Sequence, residues 1–117
     1  MPHLTLEYTQ NLDRLQPVPI LKRLAKVMLA SGQFQENDIK GRVMRLDEAI
    51  VGTGDAPASF IHLKVYLLSG RTEEVRAALA QELMIALKEE VQIGTPVQLT
   101  VDIAEMTRAT YMKESIG

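Results

Sequence analysis

Pro2 is the residue whose chemistry stands out. It follows Met1 directly, and a small residue in second place predicts that Met1 is removed. Removal turns the Pro2 nitrogen from a tertiary amide without basicity into a secondary amine. An ordinary α-amine titrates at about 7.7–8.0, and a secondary amine higher unless its surroundings intervene. Burial and neighbouring cations both favour the neutral form. A neutral amine is a general base. With a pKa near the working pH, one base can take a proton from one atom of a substrate and return it to another, a service worth ~10²–10⁴-fold. The ring also fixes the direction of the lone pair, so less positioning entropy is lost. The plain alternative is a proline that merely begins a strand, where no ladder N–H is required of it.

Other chemistries lack their residues. There is no Cys, so disulfides, thiolate catalysis and Cys-ligated metal are out. A formal charge of −2 gives no global field for nucleic acid or an anionic membrane, so an anionic ligand needs a local cluster of cations. Gly52-Thr53-Gly54 lacks the third glycine and the following helix of a nucleotide loop. His3 and His62 occupy matching places in two similar stretches, which favours packing over catalysis or metal binding. Phe34, Phe60 and the three Tyr read as core or pocket lining, and Glu7 as solvated or salt-bridged.

The elements around Pro2 follow from periodicity. Leu4, Leu6 and Tyr8 alternate with Thr5 and Glu7, the pattern of a half-buried strand. Pro17 and Pro19 set up a helix in which Ile20, Leu21, Leu24, Val27 and Met28 recur at helical spacing, with Gly32 as its stop. A polar loop, 33–38, is interrupted by Phe34. A second strand is expected over 39–46, with Lys40, Arg42, Met44 and Leu46 on one face. Gly52, Gly54, Asp55 and Pro57 mark the stretch 47–59 as a turn or hairpin-like excursion. Ile61, Leu63, Val65 and Leu67 share one face of a third strand, 60–68. Thr72 then caps a helix opened by Glu73 and Glu74, with Val75, Ala78, Leu79, Leu83, Ala86 and Leu87 as its apolar stripe. A fourth strand alternates through Val97, Leu99, Val101 and Ile103.

Strand-helix-strand thus occurs twice, and His3-Leu4-Thr5-Leu6 matches His62-Leu63-Lys64-Val65. Leu46 and Asp47 fall roughly opposite Val101 and Asp102. Each helix is a crossover, so the strands within each unit are expected to be parallel. The predicted fold is α+β: duplicated β-α-β units in a four-stranded sheet with both helices on one face. One domain spans 1–106, with halves of about 1–58 and 59–106, and 107–117 is a tail, weakly structured or docked on a neighbour. At 117 residues and 46% hydrophobic, one such domain can bury a real core. The sheet's uncovered face is expected to carry some apolar residues and to be covered by another copy, an association that also closes the sheet edges. No signal peptide and no apolar run of roughly 20 residues is visible, so the cytoplasm is the expected compartment.

Met1-Pro2-His3, Ala30-Ser31-Gly32-x-Phe34, Ile39-x-x-Arg42-Val43, Phe60-Ile61-His62-Leu63 and Gly70-Arg71-Thr72 together resemble the tautomerase superfamily, and within it the 5-carboxymethyl-2-hydroxymuconate delta-isomerases. The resemblance covers nearly the whole chain in order, without a clear match after Glu105. It implies a trimer and a cofactor-free, metal-free isomerisation of an unsaturated 2-hydroxy di- or tricarboxylate in aromatic catabolism. It also implies that Pro2 is the base, and that Arg71, Arg42 and Lys40 are the cations that hold the substrate's carboxylates and the charge developing on its enolate oxygen. Lys40 departs from the arginine pair of the family. Lys keeps the charge but loses the fork that grips a carboxylate at two points, which leaves the exact substrate open.

Each cation also has a structural reading. Arg71 could cap a strand end or pair with Glu73 or Glu74, Arg42 could be an ion-pair partner, and Lys40 a solvated charge at a strand end. Two other functions stand beside the isomerase: a different tautomerase-superfamily reaction on a small 2-oxo or unsaturated acid, and a non-catalytic oligomeric binding module.

Overall fold

The computed structural model describes all 117 residues. Its order is β1 (His3–Thr9), α1 (Pro17–Ala30), β2 (Lys40–Leu46), β3 (Phe60–Leu68), α2 (Glu73–Glu90) and β4 (Gln98–Met106), with 3-10 turns at Glu36–Asp38 and Arg108–Thr110. The four strands form one sheet in the order β2-β1-β3-β4. β1 runs parallel to β2 and β3 parallel to β4, while β1 and β3 meet antiparallel at the centre. The paired β-α-β units and single sheet are those expected. β4 continues to Met106, beyond the alternating run that ends at Ile103, and 47–59 contains no strand.

Alternation builds the core. Leu4, Leu6, Ile61, Leu63 and Val65 are fully buried, and Ile20, Leu24 and Met28 of α1 pack with Leu79, Leu83, Ala86 and Leu87 of α2 in the same cluster. Each such side chain contributes about 1.5–3 kcal/mol when withdrawn from water. Ala78, expected in the α2 stripe, is exposed instead. The helices end as their residues dictate. Thr72 Oγ1 accepts from the Val75 amide at 3.2 Å, and Gly32 takes a φ of +76° just past α1, a conformation that a side chain resists. Gly41 serves close packing: a Cβ there would lie 3.0 Å from Leu21 Cδ2 of α1.

The helix-free face is mostly polar at its centre. Thr5 lies between Arg42 and Lys64, and Lys64 beside Asp102, whose carboxylate accepts from Lys64 Nζ at 2.8 Å. Next to them run Glu7, His62 and Thr100, with His62 Nδ1 2.6 Å from Thr100 Oγ1. The apolar residues expected on this face include Met44 and Tyr66, 48% and 39% exposed, with Leu46, Phe60, Leu68, Ala104 and Met106 toward the strand ends.

The register corrects one internal equivalence. Thr5 pairs with Arg42 and Lys64 with Asp102, so Arg42, and not Asp47, corresponds to Asp102. Arg42 lies 37 positions after Thr5 and Asp102 lies 38 after Lys64, so the second strands are offset by one residue from a strict matching of the halves.

Candidate active site

The pairing pattern gathers four strand ends. His3 pairs with Lys40 and with Tyr66, and Leu68 pairs with Met106, so the starts of β1 and β2 meet the ends of β3 and β4. Pro2 lies there with its side chain fully buried, and its carbonyl accepts from the Lys40 amide at 2.9 Å. The Met1 amine donates to the Asp38 carbonyl. With Met1 in place, the Pro2 nitrogen is part of a peptide bond.

This corner is unfriendly to a charged amine. The pKa of the Met1 amine is lowered, first by burial and then by the nearby Lys40 and Lys113, with Asp38 opposing. The His3 imidazole is lowered as well, by burial and then by Arg42, the amino terminus and Lys40. Asp38 falls below the usual carboxylate range because it accepts a hydrogen bond from Lys113, at 2.6 Å.

Of the predicted cations, Lys40 bonds to Pro2 through its backbone, Arg42 stands against His3, and Arg71 makes its contacts with Leu68, Gln33 and Phe34. Lys40 Nζ donates to the carbonyls of Asn37 at 2.9 Å and Asp38 at 3.1 Å, so it is neither free in solvent nor paired with a carboxylate. Arg42 Nη2 lies 2.8 Å from His3 Nδ1 and makes no ion pair, contrary to its structural reading as an ion-pair partner. Arg71 does cap a strand end, through Leu68 O at 3.3 Å, but it pairs with neither Glu73 nor Glu74. Its remaining bonds go to Gln33, with Nε 3.0 Å from Oε1 and Nη2 3.4 Å from the carbonyl oxygen. The guanidinium lies 4.7 Å from the centre of the Phe34 ring, within cation–π range. Arg71 borders a hollow of about 240 Å³ with Ser31, Gln33 and Glu82.

Several residues of this corner escaped the sequence reading. Tyr111 places its hydroxyl 2.8 Å from His3 Nε2, and the two rings meet edge-on, 5.8 Å apart at 67°. Arg108 donates from Nε to Ser69 O at 2.7 Å. His3, read as a packing residue, is a polar junction between Arg42 and Tyr111. The tail therefore folds back against its own chain at the Pro2 end through Arg108, Tyr111 and Lys113, while Met112 and Ile116 stay exposed. The only hint in the sequence was a Tyr and a Lys in an aperiodic tail. A hollow of about 410 Å³ at the opposite end of the sheet, between Asn11, Ser59 and Pro96, has no ionisable residue in its lining and offers no base.

A family model for 5-carboxymethyl-2-hydroxymuconate isomerase matches residues 2–116, tail included. The crystal structure of a 5-carboxymethyl-2-hydroxymuconate isomerase from Deinococcus radiodurans R1 is similar at 31% identity and a TM-score of 0.89, covering 98% of this chain and 90% of that one. The crystal structure of a 5-carboxymethyl-2-hydroxymuconate delta-isomerase shares the fold at 22% identity and a TM-score of 0.83, covering 100% and 89%. A fused 4-OT described as a symmetric trimer shares it at 18% identity and a TM-score of 0.71, covering 96% and 93%. No curated protein sequence matches the chain. No helix is long and apolar enough to cross a membrane.

Proposed function

The chain belongs to the 5-carboxymethyl-2-hydroxymuconate isomerase family and is an isomerase, and we propose that Pro2, once Met1 is removed, is its general base. The substrate is an unsaturated 2-hydroxy acid of the carboxymethyl-hydroxymuconate type. The Pro2 amine takes the hydroxyl proton of the dienol, the double bonds shift along the conjugated chain, and the same nitrogen returns the proton to carbon. Proton transfer is the whole of the chemistry, and these steps call on no cofactor.

One observation carries the reading: at the start of β1 an amine is held below its ordinary pKa by burial and by Lys40. Excision of Met1 leaves the Pro2 nitrogen at that same corner, where burial and the neighbouring cation act in the direction of the neutral base form. Arg42, with Lys40 behind it, draws a substrate carboxylate toward the nitrogen. The positive charge stabilises the enolate oxygen as it develops. Arg71, held by Gln33 and Phe34, grips a second carboxylate.

The working unit is a homotrimer, in which copies pair through the exposed edges of β2 and β4 and enclose the polar sheet face. A structural neighbour that is a symmetric trimer supports this assembly. Dienol ketonisation, followed by ultraviolet absorbance on N-terminally processed protein, tests the base. Pro2→Ala is expected to abolish it, and an unchanged rate refutes the assignment.

A second reading has its own observation. Lys40 Nζ is engaged by two carbonyls, which leaves it less free to bind a carboxylate than an arginine fork. A substrate with fewer carboxylates, another small 2-oxo or unsaturated acid, fits that arrangement. Comparing kcat/KM across dienols with one, two and three carboxylates separates the two.

A further inference from the structure

We infer that His3 is a positioning residue for Arg42, and that the chain's own tail, through Tyr111, holds His3 to that task. The inference rests on the reading that Arg42 binds a substrate carboxylate, and it adds the parts that keep Arg42 in place.

The hydrogen bonds leave one assignment. A guanidinium only donates. Arg42 Nη2 stands 2.8 Å from His3 Nδ1, so Nδ1 is the acceptor and the ring is neutral. The ring's single N–H is then on Nε2, 2.8 Å from the Tyr111 hydroxyl oxygen, and it donates there. The hydroxyl keeps its own hydrogen for another acceptor. A protonated imidazole carries hydrogen on both nitrogens and turns one of them against the arginine's N–H, so it releases Arg42. Arg42 thus sets the tautomer, and Tyr111 accepts from the Nε2–H and holds the ring in that place.

Packing agrees with this assignment. Arg42 is exposed on an edge strand, where a long side chain without a partner samples many rotamers. The imidazole is its one hydrogen-bond partner. The edge-on ring contact fixes the plane of the imidazole, and Lys113 on Asp38 pins the tail two residues beyond Tyr111. The groups facing His3 are Arg42 and Lys40 from β2, Tyr66 across the pair with β3, Tyr111 from the tail, and the amino terminus. The cations among them, together with burial, keep the ring neutral.

The test uses processed full-length protein with 2-hydroxymuconate as the probe. His3→Leu is expected to raise KM by roughly tenfold, the scale of one hydrogen bond to a charged group, with kcat much less affected. Tyr111→Phe raises KM in the same direction by less. His3→Asn, whose Oδ1 can stand in for Nδ1, brings KM back toward the native value. Nitrogen-15 NMR of the native His3 ring shows the Nε2–H tautomer, and Arg42→Ala, which removes the donor on Nδ1, mixes the two tautomers. An unchanged KM in His3→Leu, no recovery in His3→Asn, or an Nδ1–H tautomer in the native protein overturns the inference. If His3→Leu does not fold, the native and Arg42→Ala spectra decide, and an unmixed tautomer in Arg42→Ala overturns the inference. Full activity in Pro2→Ala overturns the reading beneath, and the His3 tautomer remains a separate measurement.

Discussion

Lys113 reaches back to Asp38 and places its ammonium 2.6 Å from the carboxylate, tying the tail to the loop that leads into β2. The same Asp38 receives the Met1 amine on its carbonyl. With Met1 in place, one residue therefore holds both the amino terminus and the tail beside Pro2, and the Lys113 contact is the one that survives its removal.

That anchor responds to pH in a fixed direction. The hydrogen bond from Lys113 depresses the folded-state pKa of Asp38. A depressed carboxyl contributes stability that is present above its unfolded value and is lost as pH falls through the folded one. Urea unfolding should show native protein more stable than Lys113→Met at neutral pH, with the difference vanishing once the pH is below the depressed value. A difference that persists in acid would assign the effect to packing of the lysine stem.

Arg71→Ala should raise KM for a dicarboxylate dienol more than it lowers kcat, since the role proposed for it is to bind a carboxylate and not to transfer protons. Arg71→Lys should recover little, because lysine cannot both stack on Phe34 and fork onto Gln33 and Leu68. Steady-state kinetics decides, and unchanged constants in Arg71→Ala remove it from the site.

Two local devices should show their worth in denaturation. Thr72→Ala removes the cap on Val75 and is expected to cost about 1 kcal/mol. Gly41→Ala forces a methyl against Leu21 and should cost about 1–3 kcal/mol. Adding Leu21→Ala makes room for the new methyl, so the pair should be less destabilised than the two single costs predict. Strict additivity would mean that α1 and β2 do not meet as described.

Much of the fold was legible because its signals are periodic. Leu4 and Leu6 on β1, and Ile61 to Leu67 on β3, alternate as a sheet with one buried face requires, and all are buried. Thr72 and Gly32 announce helix ends by residue type alone. The corner around Pro2 was legible only in its strand residues. Tyr111 reaches His3 across most of the chain, and one side-chain hydrogen bond leaves no period in a sequence. His3 and His62 look equivalent by position, yet one joins Arg42 and Tyr111 while the other bonds Thr100. Their difference comes from what the tail brings to one end of the sheet. Arg71 was singled out by the family resemblance, but its partners Gln33 and Phe34 lie in a loop whose path is set by tertiary packing.

Titration of the Pro2 nitrogen bears most directly on all of this. In protein labelled with nitrogen-15 at proline and shown by intact mass to lack Met1, its NMR shift can be followed against pH. The expected result is a pKa below the ordinary α-amine range of about 7.7–8.0, equal to the pKa on the rising limb of kcat/KM. A nitrogen that titrates above that range, or a native protein that keeps Met1 while remaining fully active, contradicts a neutral proline base.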